Sequence, residues 1–353
     1  QINWGSVNPQ LLPGSVDMWI MQAFGGGCSF LCTYRYRHPL WSSEMYHEGI
    51  VGTDGLTLSQ GGKEFVQAIK EMKILRAAYD STAIMPEQIE KRTTALLWSY
   101  EVMWDLDIQK QTTQWNTWNF RNNYTSAVKS AAAPMDFISE NDDLSNHHFL
   151  IAPAYQLIDS VLIQKWQHYS ENGGHLILTC RTGQKDKYGH FFEAGWAGPI
   201  RSLIGADIEF FDMLPPDIYG TVRSNNKDYK WNTWGEILTL HKGTEVLASY
   251  SDQFYAGKAA AVTRNLGKGT VTFIGVASKD GLLESQLVRD VYERAGVKIE
   301  DLPKGVFMEW RDGFYVAVNY TDKEFKLPVP ANADILIGRN PIQTAHAIVW
   351  KLK

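Results

Sequence analysis

Four side chains in one short stretch have the types and spacing to do chemistry: Tyr34, Trp41, Glu44 and His47, inside TYRYRHPLWSSEMYHEG (Thr33 to Gly49). If SSEMYH forms a turn of helix, Glu44 and His47 stand three apart and face one way. A carboxylate and an imidazole beside flat aromatic rings suit a hexopyranose. Its hydroxyls take charge-assisted hydrogen bonds, and its apolar C–H face lies on a ring. Pockets for other ligands use the same groups, and an exposed Glu and His above packed aromatics would also cap a loop. The residues alone leave these readings open.

The remaining candidates are weaker. Glu44 and His47 form an i, i+3 pair, but no second pair at matching spacing follows, so no metal site is expected. GGGC (Gly25 to Cys28) and GQKDKYG (Gly183 to Gly189) lack both phosphate-loop forms, GxGxxG and GxxxxGK[ST], and read as turns. Cys180 ends HLILTC (His175 to Cys180), a position where amidotransferase-like enzymes keep a nucleophilic thiol. Its flanks, LTCRTG, lack the glycine-bounded sharp turn of a nucleophile elbow. No His and Glu pair at short spacing follows to activate it, so a structural cysteine is expected. Cys28, Cys32 and Cys180 make an odd number without zinc spacing and read as buried or half-buried free thiols.

The elements that position these residues can be read from periodicity. MWIMQAFGGG (Met18 to Gly27) is a helix closed by glycines. CSFLCTYRY (Cys28 to Tyr36) reads as a strand buried on both faces of a parallel sheet. GGKEFVQAIKEMKILRAAY (Gly61 to Tyr79) is an amphipathic helix with Phe65, Ile69, Met72 and Leu75 on its apolar stripe. Helix, strand, long loop and helix fit the closing units of a (β/α)8 barrel, where loops after the carboxyl ends of strands build the site.

The charged PEQIEKR (Pro86 to Arg92) marks a boundary. Beyond it TTALLWSY, HHFLIAP and HLILTC read as strands, separated by helices in WNTWNFRNNYTSAVKSA and IDSVLIQKWQHYSENGG. That rhythm predicts an open parallel, doubly wound sheet. GKAAAVTRNLGKGTVTFIGV predicts two strands around a turn, and LLESQLVRDVYERAG a closing helix. VFMEWRDGFYVAVNYTD then reads as a hairpin turning at Asp312-Gly313, and KEFKLPVP, ADILIG and AIVWKL as further short strands. The expected class is α/β, with segments 1–85, 92–299 and 303–353.

The totals exclude some classes. At 353 residues and 44% apolar, the chain can bury the cores of two or three domains. A net charge of −5 argues against a nucleic-acid binder, which shows a basic stripe. No window of eighteen apolar residues occurs, so no membrane-spanning helix is expected. The start at Gln1, with no signal-peptide core behind it, reads as an internal position. An export signal would lie upstream, so the compartment, bacterial cytoplasm or periplasm, is not legible.

INWGSVNPQLLPG (Ile2 to Gly14), followed by TYRYRHPLWSSEMYHEG, resembles glycoside hydrolase family 42, the bacterial β-galactosidases. TALLWSYEVMWDLD and HHFLIAPAYQLID resemble that family's middle domain. The resemblance implies the C-terminal part of a (β/α)8 barrel, an amidotransferase-like (flavodoxin-like) domain that builds a homotrimer, and a small antiparallel β domain. The implied chemistry is retaining hydrolysis of terminal β-D-galactosides or galactooligosaccharides by two carboxyls, without a cofactor.

By the resemblance, the nucleophilic Glu lies a few residues before the INW motif and the acid/base far upstream, both before Gln1. The chain is therefore expected to hold no catalytic carboxyl, to be inactive alone, and to need an upstream barrel fragment as partner. Trp4, Tyr34, Glu44 and His47 are implied to contact galactose. Where the family usually has WRQ, this chain has YRH (Tyr36 to His38), which alters the fine shape of the subsite. The family's structural zinc uses upstream cysteines, so Cys28 and Cys32 do not inherit it. Two rival readings remain: a non-catalytic assembly module, and a thiol amidotransferase-like enzyme using Cys180.

Overall fold

The computed structural model of the chain describes Gly5 and residues 7–353. They form two compact units, one from Gln1–Ile89 with Leu302–Lys353 and one from Glu90–Asp301. In the first unit α1 (Ser15–Gly25) buries Met18 and Met21, three apart on one face, and stops at a glycine run. The longer α2 (Gln60–Ala78) buries Ala68 and Leu75 on its apolar stripe. Its N-cap, Ser59, accepts from the Gly62 N–H at 3.0 Å and donates to the Gly49 carbonyl at 2.7 Å. One hydroxyl thus starts the helix, worth about 1 kcal/mol, and ties it to the end of the candidate site stretch.

Gly62 fixes the same junction from the other side. A Cβ there would sit 2.0 Å from the Ile50 carbonyl oxygen, a backbone atom that cannot swing away. Gly62→Ala is expected to destabilise the chain by on the order of 2–4 kcal/mol, because either α2 or the Gly49–Val51 segment must move. Urea unfolding monitored by tryptophan fluorescence checks this, and an unchanged midpoint would show that the junction yields freely.

The expected strand at Cys28 to Tyr36 is absent. Those residues run as irregular chain, with Phe30 82% exposed, and the nearest sheet-like pairing is the bridge Arg37↔Val51. An apolar run becomes a strand only beside a partner backbone, and this one meets such a partner at its far end, where the Arg35 and Tyr36 carbonyls accept from the Ile50 and Val51 N–H groups at 3.0 and 2.8 Å. Cys28 and Cys32 are exposed rather than buried. A single helical turn, α3 (Glu87–Glu90), follows.

The second unit opens with β1 (Thr94–Leu97), α4 (Tyr100–Ile108), α5 (Thr117–Ser130), β2 (Met135–Ile138), β3 (Phe149–Ala152), α6 (Ser160–Glu171) and β4 (His175–Thr179). After a short α7 (Arg201–Ile204) come β5 (Ala206–Asp212), β6 (Gly220–Ser224), β7 (Lys227–Leu240), β8 (Thr244–Tyr250), β9 (Ala259–Leu266), β10 (Gly269–Ile274) and β11 (Val276–Ser278), closed by α8 (Leu282–Arg294). Parallel pairings run β2-β1-β3-β4-β10, and β1 and β3 are buried at every position, as strands covered on both faces are.

The doubly wound parallel sheet expected here is corrected to a mixed, 11-stranded one. From β10 outward the pairings of β9, β8, β6, β7, β5 and β11 are antiparallel. The cause is connection length. β6 turns into β7 through Asn225 and Asn226 alone, both at positive φ (48° and 61°), and a two-residue hairpin can only reverse the chain.

The chain ends with β12 (Val306–Arg311), β13 (Phe314–Asn319), β14 (Ala333–Ile337) and β15 (Ala347–Leu352), an antiparallel sheet in the order β12-β13-β15-β14. Asp312 and Gly313, at φ 50° and 88°, make its first hairpin. Phe314, Val316, Val318 and Val349 share one core with Met18, Met21 and Leu75, so this sheet belongs to the first unit. The architecture is mixed α/β, with one large sheet and a separate small antiparallel sheet.

Candidate functional site

The segment from Ser42 to His47 is a succession of turns. The Met45 N–H donates to the Ser42 carbonyl at 3.3 Å and the His47 N–H to the Glu44 carbonyl at 2.9 Å. Nε2 of His38 lies 2.6 Å from the Met45 carbonyl and braces the turn from outside. Glu44 and His47 are therefore one turn apart, as their spacing predicts. Their surroundings differ: His47 is buried, whereas Glu44 keeps about a third of its side chain in water.

Glu44 is oriented by two donors on the same oxygen. The Tyr34 hydroxyl and Nη1 of Arg35 each reach its Oε2 at 2.7 Å. The bond to Glu44 raises the tyrosine's pKa above its ordinary value. The Arg35 guanidinium carbon also lies 5.2 Å from the Tyr34 ring centre, so phenol, guanidinium and carboxylate form one cluster. The Tyr34–Arg35 peptide bond is cis. With Oε2 doubly occupied, Oε1 is the carboxylate oxygen left to meet a ligand.

Beside this cluster the first unit holds a cavity of about 600 Å³, within the range of small-molecule sites. Its wall includes Asn8, Gln10, Trp19, Tyr34, Arg35 and Glu48. Trp19 offers a ring that is 43% exposed. Glu64 also lines it, but its carboxylate is used in accepting the Gly14 and Val16 N–H groups at the start of α1 (2.8 and 2.9 Å). Of the residues expected to touch sugar, Tyr34 is on the cavity wall. Glu44 is joined to that wall through Tyr34 and Arg35, and His47 is buried and is not on it. The expected role of Trp4 lies outside the described residues. Among the described residues no three His, Cys, Asp or Glu side chains gather to hold a metal, and no helix is long and apolar enough to cross a membrane.

Sequence reasoning passed over Arg35, Trp19 and Glu48. Arg35 had a signal available: it is a cation within an aromatic run, on the same loop as Glu44. Trp19 had none, since a tryptophan in an apolar helix reads as core.

The second unit buries a polar cluster where Cys180 was weighed as a nucleophile. Cys180 is fully enclosed, and burial pushes its thiol pKa well up, which disfavours the thiolate at neutral pH. The next residue, Arg181, takes the positive-φ corner (66°) at the end of β4. Its guanidinium lies between the Trp115 and Trp234 rings at 4.6 and 4.7 Å and donates to the Lys110 and Gln109 carbonyls at 3.3 and 2.8 Å. Glu236, also buried, accepts on Oε1 from the Arg181 N–H, Gln184 and Trp234 at 2.9–3.1 Å. Burial raises its pKa to about 7.

The family described as "Beta-galactosidase trimerisation domain" matches residues 92–298, and that described as "Beta-galactosidase" matches residues 1–75. The chain belongs to glycoside hydrolase family 42, the β-galactosidases. A β-galactosidase of Haloferax lucentense is 28% identical over 349 residues, covering 99% of this chain and 50% of the relative. Among solved structures, the β-galactosidase of the haloarchaeon Halorubrum lacusprofundi matches with a TM-score of 0.86 at 26% identity, over 99% of this chain and 51% of that one. The enzyme of the psychrophilic Marinomonas ef1 matches with a TM-score of 0.82 at 25% identity, over 100% of this chain and 51% of that one. The chain spans about half the length of the relatives it matches.

Proposed function

We propose that this chain supplies part of the galactose-binding wall and the assembly domain of a retaining β-galactosidase acting on terminal β-D-galactosides or galactooligosaccharides. The observation that carries the reading is the Glu44 carboxylate, aimed by Tyr34 and Arg35 through one oxygen with the other left for a sugar hydroxyl. Family membership gives that geometry its substrate. Residues 1–85 act as the closing part of the catalytic (β/α)8 barrel, 92–299 as the amidotransferase-like domain through which three copies assemble, and 303–353 as a β domain. Trp4 is assigned to the same subsite on family resemblance alone, and His47, buried off the cavity wall, backs the turn that carries Glu44.

Neither catalytic carboxyl is assigned to this chain. Retaining hydrolysis needs an acid and a nucleophile about 5 Å apart, and Glu44, held by a phenol and a guanidinium, is a binding group. The sealed thiol of Cys180 argues against amidotransferase chemistry. Assay of the chain alone on an aryl β-galactoside is expected to give no turnover above a Glu44→Gln control. Turnover that Glu44→Gln abolishes would overturn the assignment by placing the catalytic pair within these residues.

A further inference from the structure

The short helix α4 is apolar on two faces. Val102, Met103 and Leu106 are buried, yet Tyr100, Trp104 and Ile108, at i, i+4 and i+8, are 54, 60 and 80% exposed. A surface helix ordinarily turns charged residues outward along such a line. The stripe continues onto neighbouring elements. Trp98, next after β1, meets the rings of Tyr100, Trp118 and Phe137 at 5.9, 5.5 and 5.3 Å, and Tyr100 meets Trp104 at 6.0 Å. Trp118 and Phe137 are again about half exposed (52 and 54%).

The cluster is fixed from beneath. The buried guanidinium of Arg121 lies 4.5 Å from the Trp98 ring and donates to the Leu97 and Pro153 carbonyls. Rigid rings with one face in water lose little side-chain freedom on being covered, which is the character of interface anchors. Phe137 lies on β2, an outer strand of the large sheet, whose far side has no strand partner among the described residues.

We infer that this face, centred on Trp98, Tyr100, Trp104, Trp118 and Phe137, is where a second copy of the chain docks in the trimer. The inference rests on the homotrimer reading above and adds the surface that makes it. All five residues lie inside the 92–298 match to the trimerisation family. The magnitudes agree. Four half-exposed rings present roughly 400–500 Å² of apolar surface, near the top of what a lone monomer shows. A stable interface takes about 800 Å² from each partner, so the rings form its centre and a polar rim the remainder. In a closed ring of three, each copy offers this face once, to a different patch on its neighbour.

Light scattering after size exclusion, on the full chain at micromolar concentration, tests the inference. The wild-type chain is expected at about three times its 40.0 kDa. Trp104→Glu and Trp118→Glu are expected to run as monomers, and Trp104→Ala to dissociate at least tenfold more readily. Phe254→Glu, at a ring 86% exposed in the turn between β8 and β9, serves as the surface control and is expected to stay trimeric. Circular dichroism checks that each variant is folded. Should the Glu variants unfold, the shift of Trp104→Ala decides. A wild-type trimer that all three substitutions leave intact would overturn the docking face and spare the trimer. A monomeric wild type would remove both.

Discussion

Glu236→Gln will stabilise the chain at pH 7.5 by about 3 kcal/mol and change little at pH 4. The carboxyl has an ordinary pKa of 4.5 and is pushed up to about 7 by burial, against the lowering effects of the bonds it accepts and of Arg181. Between those values the folded chain holds a proton that the unfolded chain has released. Stability therefore falls as pH rises from about 4.5 to about 7 and levels off above. A glutamine is neutral throughout and removes that slope. Its carbonyl can still accept from the Arg181 N–H, Gln184 and Trp234. Asp17, whose carboxyl is also raised to about 7, gives a slope of the same sign, so the difference between wild type and variant isolates Glu236. Urea titrations from pH 4 to 8 read it directly. Parallel profiles for the two proteins would mean that water or a counter-charge reaches Glu236.

The same cluster explains why a cation is tolerated at the end of β4. Arg181 is buried between two tryptophan rings, and burial lowers its own pKa to about 10, still far above neutrality. Its bonds to two carbonyls and its nearness to Glu236 offset part of the cost of desolvation. The corner that could have presented a reactive side chain instead points an arginine inward, and Cys180 beside it is shut off from reactants. The end of β4 thus carries structural polar groups where an amidotransferase would need an accessible thiolate.

What the sequence disclosed, and what it hid, follows from the range of the forces involved. Helices α2, α5, α6 and α8 were legible because an apolar stripe at period 3.6 is a local record of which face is covered. The β12–β13 hairpin was legible because Asp312-Gly313 supplies two positive-φ residues in a row. The β6–β7 reversal uses Asn225-Asn226 for the same geometry, a weaker signal that passed unread, and with it went the antiparallel part of the large sheet beyond the β9–β10 turn. At Cys28 to Tyr36 composition misled, because β structure depends on a partner that no single segment records. In the site, Tyr34 and Glu44 were chosen for their chemistry, and the structure brings them into direct contact. Arg35 was passed over despite its place in the same run, because eight intervening residues of irregular loop conceal that it reaches the carboxylate it holds.

In a polypeptide that supplies the two catalytic carboxyls ahead of this chain, Glu44→Ala is expected to lower kcat/KM on an aryl β-galactoside by 10²–10³-fold. That is the scale of losing one preorganised charge-assisted contact to the transition state. The partners of Glu44 should rank below it. Arg35→Met leaves the carboxylate but frees it to rotate, so a loss of about ten- to a hundredfold is expected. Tyr34→Phe keeps the ring and removes one of two donors to the same oxygen, so its loss should stay below tenfold. The division between kcat and KM carries the physical content. If Oε1 grips a hydroxyl more tightly as charge develops at the anomeric carbon, Glu44→Ala lowers kcat as well as kcat/KM. A rise in KM alone would make Glu44 a ground-state binding group, and equal losses at Glu44 and Tyr34 would mean that the phenol itself touches the sugar. A chain indifferent to all three substitutions would place galactose elsewhere.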